Sequence, residues 1–335
     1  MTLERVTLAL PSKGAIADPT TNFLADCGLR VDKPNPRQYT GSIPMIPQVD
    51  VLFQRVTDVL YKVADGTAQL GITGLDVVRE HPHEDLIVIH ENLRYGYCKL
   101  LVAVPEAWVD VETMLDLVEV ALDFREVKRR NLRIATTYSN LTREFLYSRG
   151  IHHFTLVNAE GAIEAAPTIG YADAIVDLVQ TGTTLRENHL KLIPDGVIVE
   201  SQACLVGNRR MLEANPLVMQ TAGTMLEYID AALQGREYSQ LTVNMRGESA
   251  EQIAAQVAAN PVTRGLQGPT VAPIYGTSGG AETWFTITII ISNKNLLQAV
   301  EHLRAIGGTQ TTVTPVRYVF LPKSPTFEKL RTALS

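Results

Sequence analysis

The stretch YADAIVDLVQTGTTLREN, Tyr171 to Asn188, decides the class of fold. It runs from an apolar strand into a turn of small residues and then into a helix start. Ala172, Ala174, Val176 and Leu178 share one face at period two, and Asp173, Ile175, Asp177 and Val179 share the other. Two carboxylates on one face of a strand interior need a reason, because an unpaired charge is costly to bury. Thr181-Gly182-Thr183-Thr184 follows with closely spaced N–H groups, three hydroxyls, a glycine free to take positive φ, and a helix N-terminus just before Leu185. By itself such a turn is most often a helix cap. With acidic groups ahead of it that suit a ribose diol or a water-held magnesium ion, it reads as a site for a sugar phosphate, 5-phosphoribosyl diphosphate.

Working outward, the first hundred residues alternate strand and helix. Val6 to Leu10 reads as a strand, and the turn Pro11-Ser12-Lys13-Gly14 opens a helix that ends at Cys27-Gly28. Phe53, Val56, Val59, Leu60 and Val63 fall at helical spacing. Leu70 to Gly74 is a short strand, Leu75 to Glu80 a helix, and Leu86 to His90 and Lys99 to Val104 further strands. A second α/β unit follows, with strands near Arg133 to Thr136, Phe154 to Val157 and Ala172 to Val179. Its helices start near Thr142 and Thr183. Val197 to Glu200 and Ala203 to Val206 read as returning strands. The pattern predicts lobe I over 1–104, completed by 195–224, and lobe II over 105–194, with a ligand cleft between them. Residues 225–335 form a third domain of order β-α-β-β-α-β, a ferredoxin-like module whose last strand is read over Thr312 to Leu321.

The chain has 335 residues and a formal charge of −6, which excludes a basic nucleic-acid-coating surface and makes any polyanion site a local affair. The start MTLERVTLALPSKG reads as a strand, not a signal peptide. The most apolar later run, Trp284 to Ile291, is less than half a membrane span. Cys27, Cys98 and Cys204 form no CxxC pair, which points to a reduced, cytoplasmic protein. His81, His83, His90, His152 and His153 lack compact metal-ligand spacing. No P-loop, G-x-S-x-G elbow or G-x-G-x-x-G fingerprint is present. The cations available to an anionic ligand are Lys13, Arg37, Arg55 and Lys99, and Glu164 stands in a further turn after Glu160-Gly161.

These pieces, in order, resemble the ATP phosphoribosyltransferase family in its long form. The likeness runs through LALPSKG from Leu8, Arg37-Gln38-Tyr39, VADGTAQLGITGLDVV, YGYCKLLVAVP, LRIATTYSNLTREF, the EGAIEAAPTIG stretch leading into Tyr171, and SQACLVGN. It covers roughly residues 5 to 208, and GPTVAPI is more loosely similar to the family's C-terminal regulatory domain. The resemblance implies a two-lobed core like that of periplasmic binding proteins and an ACT-like third domain that senses histidine as feedback inhibitor. It also implies a homohexamer built from dimers. The implied reaction moves the phosphoribosyl group to N1 of ATP and expels magnesium-bound diphosphate. Thr181, Gly182, Thr183, Thr184 and Leu185 would hold the 5-phosphate, and Asp173 and Asp177 the ribose or Mg2+. Lys13, Arg37, Arg55 and Lys99 would neutralise phosphates, with Lys13 and the two aspartates closest to catalysis and Glu164 on the substrate. Thr270, Ala272 and Pro273, with the small residues Thr277 to Gly280, would bind histidine. Two positions depart from the family: Ala15 stands where Arg is usual, and Gln69 where Asp is usual. The other function class compatible with two lobes is a cytoplasmic small-molecule binding protein with a sensor module.

Overall fold

A computed structural model describes residues 4–35, 37–159, 161–275 and 283–335. Contacts divide the chain into two compact units. One holds residues 1–25 and 29–222 with the last two residues, the other 26–28 and 223–333.

The first unit contains two sheets. In lobe I the strands are β1 (Val6–Pro11), β2 (Thr40–Ser42), β3 (Val49–Gln54), β4 (Leu70–Gly74) and β5 (Leu86–His90). Lobe II contributes β6 (Cys98–Pro105), β7 (Leu132–Thr136), β8 (Phe154–Asn158), β9 (Ala174–Val179) and β10 (Leu190–Ser201), after which β11 (Ala203–Asn208) returns to lobe I. The sheet orders are β2-β3-β1-β4-β11-β5 and β10-β6-β9-β7-β8. β1 runs parallel to β3 and β4, while β11 lies antiparallel between β4 and β5. This is the two-crossing layout of a periplasmic-binding-type core. β4 is buried along its whole length, and helix Val56–Ala64 packs against its Gly71. A Cβ there would come within 2.8 Å of both Val59 and Val63. In lobe II, Leu100, Val102, Leu117, Phe124, Ile134 and Val176 form one core, while Ala103, Ala135, Ile175 and Leu185 pack on the other face of the sheet.

Three expectations are corrected here. Cys98–Pro105 belongs to lobe II, hydrogen-bonded between β10 and β9, and so does the whole of Leu190–Ser201. The crossings therefore fall between His90 and Cys98 and at Gln202, not at 104/105 and 194/195. An apolar run does not reveal which of two sheets it joins. Phe53 lies in β3, where Val49, Val51 and Phe53 alternate inward at period two; the helix begins only at Val56. The third is the end of the chain. The last strand stops at Pro315 and a helix, Pro325–Ala333, follows. Tyr318 and Phe320 alternate like strand residues, but they pack edge-on against Tyr228.

The second unit has β12 (Tyr238–Arg246), β13 (Thr270–Ile274), β14 (Trp284–Ser292) and β15 (Thr309–Pro315) in the order β13-β14-β12-β15, all neighbours antiparallel. With helices Ala250–Ala259 and Leu296–Ala305 in the two crossovers, this is the connectivity of a ferredoxin-like module. Leu241, Val243, Ile287 and Ile289 of its sheet meet Val257 and Leu303 of the helices. No described helix is long and apolar enough to cross a membrane.

Candidate active site

A cavity of about 480 Å³ lies within the first unit, lined from both lobes. Lobe II supplies Asp177, the Leu178–Gly182 stretch, Thr184, Leu185, Tyr138 and Glu164; lobe I supplies Ala15, Ile16, Val56, Thr57, Gly74, Asp76 and Val77. Gly96 comes from the crossing and Cys98 from the first position of β6.

The strand-turn-helix element is built as its sequence dictates, but shorter. β9 begins at Ala174, and the helix spans only Thr183–Glu187 before Leu190 opens β10. Gly182, at φ +73, occupies the N-cap in the left-handed region that a side-chain-bearing residue enters at a cost. No side chain caps this helix, so none satisfies its first amides. With so short a helix, those N–H groups matter more than the dipole. The Thr181 and Thr183 hydroxyls sit 3.1 Å apart, while Leu185 is buried and ties the turn to the core.

Asp177 and Asp173 have separate tasks. Burial pushes the Asp177 carboxyl up to about 6, the negative Glu164 nearby adds to this, and an amide bond from Leu178 at 2.8 Å opposes it. Asp177 faces the cleft; Asp173 does not. Arg130 donates to both oxygens of Asp173 at 2.6 and 2.8 Å, and Arg133 adds its backbone N–H and two guanidinium bonds at 2.9, 3.1 and 3.0 Å. Burial works against ionisation, yet the guanidinium bonds hold Asp173 far below the usual carboxylate range. Asp173 is thus a pin between β7 and β9. Its lone pairs are taken, which removes it from the ribose, magnesium and catalytic roles expected of it.

The four expected cations are absent from the lining. Lys13, Arg37 and Arg55 are exposed, and Lys99 pairs with Glu200 at 2.7 Å on the surface. Thr183 is adjacent to the lining without being part of it. Among the described lining residues there are three carboxylates, Asp76, Glu164 and Asp177, and no lysine or arginine. Ala15, where an arginine is usual, is itself part of the wall. Gln69, just before β4, ties the preceding turn to β1, accepting from Thr7 N at 2.8 Å and donating to Gly66 O at 2.9 Å. An aspartate could not make that second bond.

Sequence reasoning missed a buried knot on the cleft wall. The Tyr138 hydroxyl donates to Asp76 Oδ2 at 2.6 Å, Ser201 Oγ donates to Asp76 Oδ1 at 2.6 Å, and the Asp76 amide donates to Ser201 Oγ at 2.9 Å. Burial first, and then the charge and hydrogen bond of Asp76, push the Tyr138 phenol far up, so it stays a donor. Burial also raises the Cys98 thiol to about 11, which makes it a poor nucleophile. The only signal in the sequence was Asp76 inside an otherwise apolar helix start. Thr270, Ala272 and Pro273 lie on the edge strand β13, and Thr277 to Gly280 lie outside the described residues.

The cleft has the chemistry of a sugar-phosphate site: amides and hydroxyls on the Thr181–Thr184 turn, and acidic groups for hydroxyls or a divalent ion. Comparison with known proteins gives the same direction. The profile of ATP phosphoribosyltransferase matches residues 55–230, and that of the HisG C-terminal domain matches 235–318. Over 331 residues the chain is 42% identical to ATP phosphoribosyltransferase 2, chloroplastic, of Arabidopsis thaliana, covering 98% of this chain and 80% of that one. It is 35% identical to an ATP phosphoribosyltransferase of Bradyrhizobium diazoefficiens, covering 98% of each. A solved chain from the ATP phosphoribosyl transferase (HisG:HisZ) complex of Thermotoga maritima superposes with a TM-score of 0.52 at 23% identity. That match covers 67% of this chain and 98% of that one, and supports the fold alone.

Proposed function

The chain belongs to the ATP phosphoribosyltransferase family, in the long form that carries its own C-terminal domain, and from that premise we infer how its cleft works. The family reaction transfers the 5-phosphoribosyl group of phosphoribosyl diphosphate to N1 of ATP and releases diphosphate, opening histidine biosynthesis. The N1 lone pair attacks the ribose C1, and the C1–O bond to diphosphate breaks with its electron pair leaving on the diphosphate. N1 is already nucleophilic, so no base is needed to start. Catalysis then rests on alignment and on stabilising an oxocarbenium-like transition state.

The observation that carries this reading is the opening of Asp177 and the Thr181–Thr184 turn into one inter-lobe cavity. The turn's uncapped amides and its hydroxyls suit the 5-phosphate, and Asp177, once ionised, suits the ribose hydroxyls. Ile16, Val56 and Val77 give the opposite wall an apolar surface that suits an adenine ring. Three carboxylates with no cation among the described lining residues would repel a bare polyphosphate. Magnesium resolves this, because it binds through one or two carboxylates together with substrate phosphates and waters. No three metal-ligating side chains cluster among the described residues, as a dedicated protein cage would require. Asp177 and Glu164 fit the shared mode and would face the ion; Asp173 does not. When bound, magnesium supplies charge neutralisation of the departing diphosphate.

We further propose that the second unit binds histidine as feedback inhibitor near Thr270, Ala272 and Pro273, and that the chain assembles as a homohexamer of dimers. The three cysteines are free, which suits a reducing compartment such as the cytoplasm. The alternative of a binding protein with a sensor module loses to the family match. The deciding assay is diphosphate release, which should require ATP, phosphoribosyl diphosphate and Mg2+ together. Release with either substrate omitted, or none with all three, would remove this reading.

A further inference from the structure

Helix Leu75–Glu80 of lobe I carries two buried carboxylates one turn apart, Asp76 and Glu80, 4% and 3% exposed. Side chains at i and i+4 leave a helix on the same face, and both of these reach lobe II. Asp76 takes the Tyr138 hydroxyl, as described above. Glu80 accepts the amides of Asn140 at 2.8 Å and Leu141 at 3.0 Å with its two oxygens. The Asn140 side-chain amide donates back to the Glu80 carbonyl at 3.0 Å. These amides belong to the first turn of helix Ser139–Ser148, where N–H groups have no intrahelical acceptor. A helix ordinarily meets that need with its own Ser, Thr, Asp or Asn at the N-cap. Here the N-cap is Tyr138, which provides no side-chain cap, and the cap comes from the other lobe.

We propose that Glu80 is a positioning residue, a latch that caps the lobe II helix and thereby holds the two lobes closed around the cleft. Glu80 does not line the cavity. It acts by keeping Asp177 and the Thr181–Thr184 turn opposite Ile16, Val56 and Thr57. Separating the lobes exposes two amides and a carboxylate that satisfy one another only when the lobes meet. Gly74 supports the geometry from the lobe I side, since a Cβ at that position would overlap the Asp76 carboxylate. The kinetic half of the test rests on the transferase reading; the conformational half does not.

The experiment compares the full-length wild type with Glu80→Gln and Asn140→Ala, by small-angle scattering without substrates and by steady-state kinetics. Glu80→Gln keeps one acceptor and presents an N–H2 to the second amide. Its radius of gyration should exceed that of the wild type and return to it with saturating ATP and ribose 5-phosphate, a non-reacting pair. If the closed state falls to about one tenth of molecules, apparent KM values rise about tenfold while kcat stays within about twofold, because saturating substrates restore closure. Asn140→Ala should show the same pattern at about threefold, and it decides alone if Glu80→Gln does not fold. Folded variants with wild-type radius and KM, or a fall in kcat at unchanged KM, overturn the latch. A wild type without turnover overturns the transferase reading and leaves the scattering comparison to judge the latch.

Discussion

Asp177 and Asp173 are four positions apart on a strand sequence and respond oppositely to charge removal. The folded Asp177 carboxyl titrates near 6 against about 4 in an unfolded chain. Its contribution to stability is therefore fully present below pH 4 and lost as pH rises through 6. Asp177→Asn should stabilise the protein by about 1–2 kcal/mol at pH 8, discounted for partial exposure, and by nothing at pH 4. The same change should lower kcat/KM by about ten- to a hundredfold and abolish an acid limb near pH 6 in the wild-type profile. Thr184→Val should show a comparable loss of activity without the stability gain. Denaturation curves at the two pH values, beside the rate profile, check all of this. For Asp173 the sign reverses, because its folded pKa is depressed. Asp173→Asn should cost about 1–3 kcal/mol at pH 7, an amount that shrinks as pH falls below about 4. Residual activity of the folded fraction should stay near normal. A hundredfold loss of kcat at full folding would return Asp173 to the active site.

At the scale of elements, the chain's end depends on caps that cross between helices. Asp230, in helix Pro216–Gly235, accepts the hydroxyls of Ser324 at 2.5 Å and Thr326 at 2.8 Å and the Thr326 amide at 3.2 Å. Ser324 in turn caps helix Pro325–Ala333 by accepting from Phe327 N at 3.0 Å. Asp230→Ala should cost about 1–2 kcal/mol and leave those capping hydroxyls to water. Amide exchange should quicken over 325–333 and not over β9 or its turn. Unchanged protection of the last helix would show that its apolar packing, including Leu330, holds it without the cap. The latch at Glu80 is the same device used between lobes: a carboxylate on one helix completes the N-terminus of another.

For the whole molecule, the prediction concerns regulation. Histidine should bind the full chain in calorimetry while both substrate analogues are present, because its site is proposed on the second unit and the cleft belongs to the first. Activity should fall with histidine bound, through a shift to a less active arrangement. One-for-one displacement of histidine by ATP analogues, or no binding at all, would end the separate-site proposal.

Read alone, the sequence determined the elements whose pattern is local. β4, the helix Leu75–Glu80, β14 and the Thr-Gly-Thr-Thr turn each carry their own periodicity or glycine requirement, and the β-α-β-β-α-β order of the second unit followed from local patterns of the same kind. The family itself was legible, since its motifs are contiguous. What the tertiary structure decided is every partnership between segments distant in the chain. Hydrophobicity says that Cys98–Pro105 is buried, not beside which strands. A strand period puts Asp173 and Asp177 on one face, but it cannot see Arg130 and Arg133 closing over the first and leaving the second to the cleft. Asp76 and Glu80 read as ordinary helix carboxylates until Tyr138, Ser201 and the amides of Asn140 and Leu141 arrive from elsewhere. A carboxylate's role is set by which donors reach it, and that is fixed only when the chain has folded.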